Sequence, residues 1–242
     1  MNDCTRGDVC ILACAEAFRG DGEILASPMG PIPAAGARLA KATFEPGLAM
    51  TDGVASLVEG SIVTGRMPYR KVFDVVWSGK RHVMMGAAQI DKYGNQNISC
   101  IGDHARPTVQ LLGARGAPGN TICHPTSYWV PAHSKRIFVG QVDFVSGVGY
   151  DRAAQLGVAA RFHEIRRVVT NLCVLDFNTD DNRMRLASVH PGVSVSEVIE
   201  KTGFELVIPE AVPTTPIPTA EQFRLIRESI DPAGQARATV KI

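Results

Sequence analysis

Residues 23–53 read EILASPMGPIPAAGARLAKATFEPGLAMTDG. Glu23 to Ser27 is a short strand, and Met29-Gly30-Pro31-Ile32-Pro33 is a turn. Ala34 to Ala42, rich in Ala and Leu, is a helix, closed by Pro46-Gly47. Leu48 to Thr51 is a second strand. Upstream, Thr5 or Asp8 caps a helix to about Arg19, with Val9, Leu12, Ala13 and Ala17 on one face. Helix, strand, helix, strand within about fifty residues is the pattern of a parallel α/β sheet.

Downstream, Tyr69 to Lys80 reads as a helix with Val72, Phe73, Val76 and Trp77 on one face. His82 to Ile90 reads as a strand ending at the turn Asp91-Lys92-Tyr93-Gly94-Asn95. Gly113 to Asn120, with three glycines and a proline, reads as a loop, and Arg136 to Phe144 as a strand. Arg167 to Phe177 and Arg185 to Val189 form an antiparallel hairpin across a polar connector. Ser194 with Glu197, and Thr219 with Gln222, are capping boxes for two late helices. No repeat or linker divides the chain, so residues 1–242 are expected to form one domain.

The chain has 25 basic and 24 acidic residues, a formal charge of +1. That balance argues against a general nucleic-acid binder and against attraction to an anionic membrane. With 45% hydrophobic residues the chain can build a core. No apolar run reaches the ~20 residues of a membrane span, and no signal peptide is recognisable, so a cytoplasmic protein is expected. The six cysteines show no CxxC pair and read as free thiols. Cys123, His124 and His133 lack the paired spacing of a structural zinc site, so no metal is expected.

There is no P-loop, GxSxG, HExxH or GxGxxG. Three segments remain. Thr51-Asp52-Gly53 follows the second strand, where ligands sit in parallel sheets; the alternative is a turn shaped by Asp52-Gly53. Residues 86–97 combine small residues with the neutral donors and acceptors Gln89, Asn95 and Asn97. Residues 113–121 offer successive N–H groups that cradle an oxyanion or phosphate, although a lone Gly-rich loop is weak evidence.

Together, AAGARLAKATFEPGLAMTDG, GAAQIDKYGNQNIS, GARGAPGNT, HPGVSVSEVIEKTGFEL and PTAEQFRLIRESIDP resemble the β subunit of family I coenzyme A transferases, of the glutaconate type. The resemblance covers most of the chain. It implies an open, mostly parallel α/β sheet with helices on its faces and added antiparallel strands. It also implies an α subunit partner, an α2β2 assembly, and an active site between the two subunits. Transferases of this type attack the thioester with a glutamate in the turn after the second strand. Here Thr51 stands at that position and has no carboxylate, while Asp52 is displaced by one residue.

That departure, with SPMGPIPAAGARLA and SYWVPAHSKRIFV, is similar to a branch of the family that opens steroid rings by water-dependent cleavage of a CoA thioester. The resemblance implies that Thr51 and Asp52 line the reaction site and that the base comes from the α subunit. Gln89, Asn95 and Asn97 are expected to contact substrate or partner, and Gly116, Gly119 and Asn120 to lie near CoA. Tyr128, with Trp129, walls the ring pocket or else packs in the core. Arg66, Arg70, Lys80 and Arg81 reach CoA phosphates or else form a solvated basic face. No cofactor is expected beyond the CoA of the substrate. Two other readings stand beside this one: a CoA-transferase β subunit, and a non-catalytic ligand-binding or scaffold subunit.

Overall fold

The computed structural model describes residues 4–52, 56–67, 74 and 79–240. Helix α1, Arg6–Glu16, starts at Thr5, whose side chain accepts from the Asp8 N–H while Asp8 answers in a capping box. Strand β1 is Leu25–Pro28, helix α2 is Pro31–Thr43 and strand β2 is Ala49–Thr51. Helix α2 begins three residues earlier than expected, because Pro31 is tolerated in a first turn whose N–H groups have no intrahelical partner. Strands β3 (Ser56–Glu59) and β4 (Ile62–Arg66) form a hairpin, and β5 is Arg81–Met85. Short strands β6 (Gln89–Ile90), β7 (Gln96–Asn97), β8 (Cys100–Ile101) and β9 (Val109–Gln110) follow. Then come β10 (Pro125–Val130), β11 (Glu164–Thr170), β12 (Cys173–Asp176) and β13 (Arg185–Val189).

Among the described residues the main sheet has nine strands in the order β13-β12-β11-β10-β5-β1-β2-β3-β4. The run β11-β10-β5-β1-β2 is parallel, and antiparallel strands extend it on both sides. This is the mostly parallel α/β sheet with antiparallel additions that the sequence implies. The parallel strands are buried on both faces, as helix-covered sheets must be. Ala26, Met50, Met84 and Trp129 pack under α1 and α2. Their strand neighbours Val83, Met85, Tyr128 and Val130 belong to a second core on the opposite face.

The α1–α2 crossing is tight. A Cβ on Gly36 would stand 2.7 Å from Cys14 Cβ and 2.9 Å from the Ala15 nitrogen. Gly36→Ala is therefore expected to cost about 1–3 kcal/mol through forced helix separation, read as a lower urea midpoint.

Three expectations change. Residues 117–123 are helical, not loop: Gly116 is the N-cap, Pro118 sits in the first turn, and Thr121 Oγ1 donates back to the Ala117 carbonyl. Residues 136–144 form no strand; only Phe138 makes a bridge, to Ile90. The run 82–90 breaks at exposed Gly86, and β6 turns away to pair with β7. Of the helix expected over 69–80, residues 69–73 and 75–78 lie outside the described residues; Asp74 is helical, and Gly79 and Lys80 are not.

Candidate functional site

The chain leaves β1 through α2 to reach β2 on one side, and β5 lies on the other side of β1. Helix α2 packs on one face, and Ala117 of the helix after β5 packs on the other. The β1/β5 crevice is therefore the switch point of the sheet, where the carboxyl ends of the strands open a ligand site. Its mouth is built from Met29-Gly30 after β1, Thr51-Asp52 at the end of β2, and Gly86-Ala87 after β5. Gly30 has a φ of +109°, which glycine adopts without strain, so the chain can turn directly from strand into helix.

Thr51 and Asp52 are placed differently. Thr51 is 2% exposed, and its Oγ1 donates to Ser27 Oγ at 3.1 Å. Asp52 is exposed, and its Oδ1 accepts from the Ser56 N–H at 3.1 Å, so it closes the turn into β3. Alternation along the strand explains the difference. Gly53, the third residue of that turn, lies outside the described residues.

Ser27 and Arg81 are functional candidates that the sequence reading missed or misplaced. Arg81 is neither on a solvated face nor extended into solvent: it is 4% exposed. Its Nε donates to Ser27 Oγ at 2.9 Å and its Nη1 to Asn120 Oδ1 at 3.1 Å. Arg66 and Lys80 are exposed, and Arg70 lies outside the described residues. The only available signal for Arg81 was a charged residue opening an apolar strand.

The polar residues of 86–97 turn inward. Gln89 Oε1 accepts from Asn97 Nδ2 at 2.7 Å and from the Asp143 N–H at 2.9 Å, and its Nε2 donates to Asp143 Oδ2. Asn97 also donates to the Cys100 carbonyl and accepts from the Ser99 N–H. Asn95 donates to Asp91 and Asp151 and accepts from the Gly149 N–H at 2.7 Å. Within this chain, these three side chains hold loops together. Gly94 has a φ of +83°, and a Cβ there would stand 2.5 Å from Ile165 Cδ1.

The Gly-rich segment divides. Gly116 is exposed and caps the helix, Gly119 lies inside it, and Asn120 faces Arg81 and Met85 Sδ. Tyr128 is fully enclosed in the second core and walls no open pocket in this chain. Its hydroxyl has no hydrogen-bond partner among the described residues, and burial pushes its pKa up. Tyr128→Phe removes that orphan at nearly constant shape. It is expected to raise stability by about 1 kcal/mol and leave turnover within twofold. A tenfold loss of turnover would restore Tyr128 to the site.

One constellation has the geometry of a serine hydrolase. His82 Nδ1 donates to Asp21 Oδ2 at 2.7 Å, and its Nε2 lies 2.9 Å from Ser127 Oγ. Geometry alone is not enough, because a triad must meet its substrate. Ser127 and His82 are completely buried, and the Phe18 ring centroid lies 4.6 Å from that of His82. The group is a polar tie: Asp21 also receives Arg166 Nη1 at 2.5 Å. Ser127→Ala is expected to keep kcat within twofold, and a fluorophosphonate probe to leave Ser127 unlabelled.

The remaining buried histidines pack. Burial lowers the pKa of His133 to about 3 and of His190 to about 4; for His124 burial and then the Arg81 charge lower it to about 3. Among the described residues no three His, Cys, Asp or Glu side chains come together as a metal site. A depressed histidine pKa leaves the native state neutral while the unfolded chain titrates near ~6.5. Stability from these three is thus full above pH ~6.5 and falls as the pH drops towards their folded values. Urea midpoints should decline from pH 7 to pH 5, and the decline should be shallower in His190→Asn.

A shallow depression of about 280 Å³ beside Tyr150, His163 and Asn182 is lined otherwise by alanines and Gly157. It holds none of the strand-end residues. No helix among the described residues is long and apolar enough to cross a membrane.

Comparison with known proteins agrees with this architecture. The chain is 51% identical to the cholesterol ring-cleaving hydrolase IpdB subunit of Rhodococcus jostii (strain RHA1) over 239 residues, 96% of this chain and 94% of that one. The crystal structure of Rhodococcus jostii RHA1 IpdAB superposes with a TM-score of 0.95 at 49% identity, covering 99% of this chain and 100% of that chain. Glutaconate coenzyme A-transferase from Acidaminococcus fermentans shares the fold, with a TM-score of 0.84 at 24% identity and coverage of 99% and 98%. The family model described as coenzyme A transferase matches residues 48–201. On its strand order, its switch-point crevice and this match, the chain belongs to the coenzyme A transferase family.

Proposed function

We propose that this chain is the β subunit of a heteromeric hydrolase acting in cholesterol catabolism. The complex opens the last ring of a steroid-derived cyclic diketone CoA thioester. The observation that carries this reading is the similarity to the ring-cleaving IpdB subunit, at 51% identity over 96% of the chain. The strand-end chemistry supports it: Thr51 occupies the turn where a transferase of this type would carry its glutamate.

The reaction is a retro-Claisen cleavage. Water gives one proton to a base, and its oxygen adds to a ring ketone to form an alkoxide. The alkoxide collapses, the C–C bond breaks, and its electron pair is delocalised onto the second ketone as an enolate. The base returns its proton to that carbon, and the attacked carbonyl becomes a carboxylic acid that releases its proton to solvent as the carboxylate. One water is consumed and no acceptor acid is needed. The step requires a base and donors that hold the developing negative charge. The base belongs to the partner α subunit. This chain supplies the crevice floor around Ser27, Thr51 and Arg81, with residues 113–116 near CoA.

Isotope labelling and trapping distinguish this from CoA transfer. In H2(18)O, the complex should place one 18O in the new carboxylate without any added acceptor acid. Hydroxylamine or borohydride added during turnover should leave Asp52 unmodified. A modified Asp52 carboxylate would instead favour the transferase reading.

A further inference from the structure

Arg81 is a buried guanidinium without a counterion among the described residues. It is 4% exposed, and no carboxylate among the described residues lies within ion-pair distance of it. Of the residues outside the described set, 53–55, 68–73, 75–78 and 241–242 contain no Asp or Glu, and 1–3 contain Asp3. Its partners are two neutral oxygens, Ser27 Oγ and Asn120 Oδ1. Buried charges in folded proteins are ordinarily paired, because desolvation is costly. Other buried or half-buried arginines here follow that rule: Arg166 with Asp21, Arg185 with Asp176, and Arg227 and Arg237 with Asp8.

A second observation adjoins it. His124 is completely buried, its Nε2 has no partner, and the Arg81 charge is felt there, favouring the neutral ring. No acidic neighbour offsets the burial of Arg81, whose own pKa falls to about 10. The positive charge therefore stands uncompensated among the described residues. It leads to the crevice through two hydroxyls: Arg81 donates to Ser27 Oγ, and Thr51 donates to the same oxygen. Its other arm fixes Asn120 in the helix that follows the Gly-rich loop.

We propose that Arg81 is a positioning residue for the ring-opening reaction: it fixes Ser27 and Thr51 at the ends of β1 and β2, and its charge stabilises the anion formed when the C–C bond breaks. The inference rests on the hydrolase reading. The cation is balanced only when the enolate forms, so its contribution falls on the transition state rather than on substrate binding. Ser27 carries the link, and Asn120 holds the guanidinium in place.

The test uses the assembled αβ complex with Arg81→Met, Arg81→Lys and Ser27→Ala, each checked for assembly and thermal midpoint. Arg81→Met should lower kcat at least tenfold with KM changed less than threefold, and Arg81→Lys should recover part of the loss. Ser27→Ala keeps the cation and cuts the link, so it should lower kcat in the same direction without loss of assembly. A second arm measures binding of cyclohexane-1,3-dione, which is an enolate near neutral pH, and Arg81→Met should bind it at least tenfold more weakly. The proposal is overturned if kcat and dione binding stay within twofold of wild type in Ser27→Ala and in assembled Arg81→Met. It is equally overturned if every loss scales with the unassembled fraction. Failure of the hydrolase reading shows separately, as a wild-type complex that cleaves no diketone thioester; the dione arm then still decides on Arg81.

Discussion

Asp8→Ala is expected to lower the stability of the chain by about 3 kcal/mol. Asp8 is completely buried in the first turn of α1. Its Oδ2 accepts from Arg227 Nη2 at 2.7 Å, from Thr5 Oγ1 at 2.7 Å and from the Thr5 N–H at 2.8 Å. Its Oδ1 accepts from Arg227 Nε at 3.2 Å, with Arg237 Nη1 at 3.8 Å. One carboxylate thus caps α1 and fastens residues 227–237 against it. Truncation leaves the two arginines without their shared anion. Arg227 keeps a quarter of its side chain exposed, which sets the loss at the low end of the range for broken buried pairs.

The same carboxylate predicts a pH dependence. Burial by itself would raise the Asp8 pKa; hydrogen bonds from Arg227 and Thr5 outweigh it and hold the carboxyl below its ordinary value. The folded pKa is therefore below the unfolded ~3.9. The stabilisation is fully present above that unfolded value and is lost as pH falls through the folded one. Urea melts at pH 7 and pH 3 should show a smaller pH effect in Asp8→Asn than in wild type. An equal pH effect in both would remove Asp8 from the acid transition.

Thr51→Val is expected to lower kcat at least tenfold in the assembled complex, while the thermal midpoint moves by only a few degrees. Valine matches the shape of threonine and leaves Ser27 its bond from Arg81, while the Thr51–Ser27 hydrogen bond, worth ~1 kcal/mol, is lost. The strand end loses the hydroxyl that joins Ser27 to the end of β2. Thr51→Ser keeps the hydroxyl and should stay within several-fold of wild type. A Thr51→Val complex with wild-type kcat would leave β2 a structural strand.

The fold was largely legible in the sequence because the alternation of helix and strand over residues 5–51 is a local signal. So were the capping residues Thr5, Ser194 and Thr219. The helix at 117–123 was not, because glycine and proline there signal a turn, whereas its stability comes from burying Ala117 and Thr121 against the sheet. The apolar run 136–144 misled in the opposite direction: Phe138 is buried by stacking on His133, at 3.9 Å between centroids, and by one bridge to Ile90 rather than by strand pairing.

The site was less legible. The place of Thr51 at the end of β2 was legible because strand and turn are local signals. The burial of Gln89, Asn95 and Asn97 was not, because neutral side chains that satisfy buried loops look the same in sequence as those that meet a substrate. Ser27, Arg81 and Asn120 come from three segments separated by 54 and 39 residues, and only the folded sheet brings them together.

The most direct test purifies this chain alone and together with its α subunit, and follows opening of a steroid-derived cyclic diketone CoA thioester. The expected result is no turnover by the chain alone and ring opening by the complex, with one oxygen from water in the product. Full activity from a homo-oligomer of this chain would contradict the account.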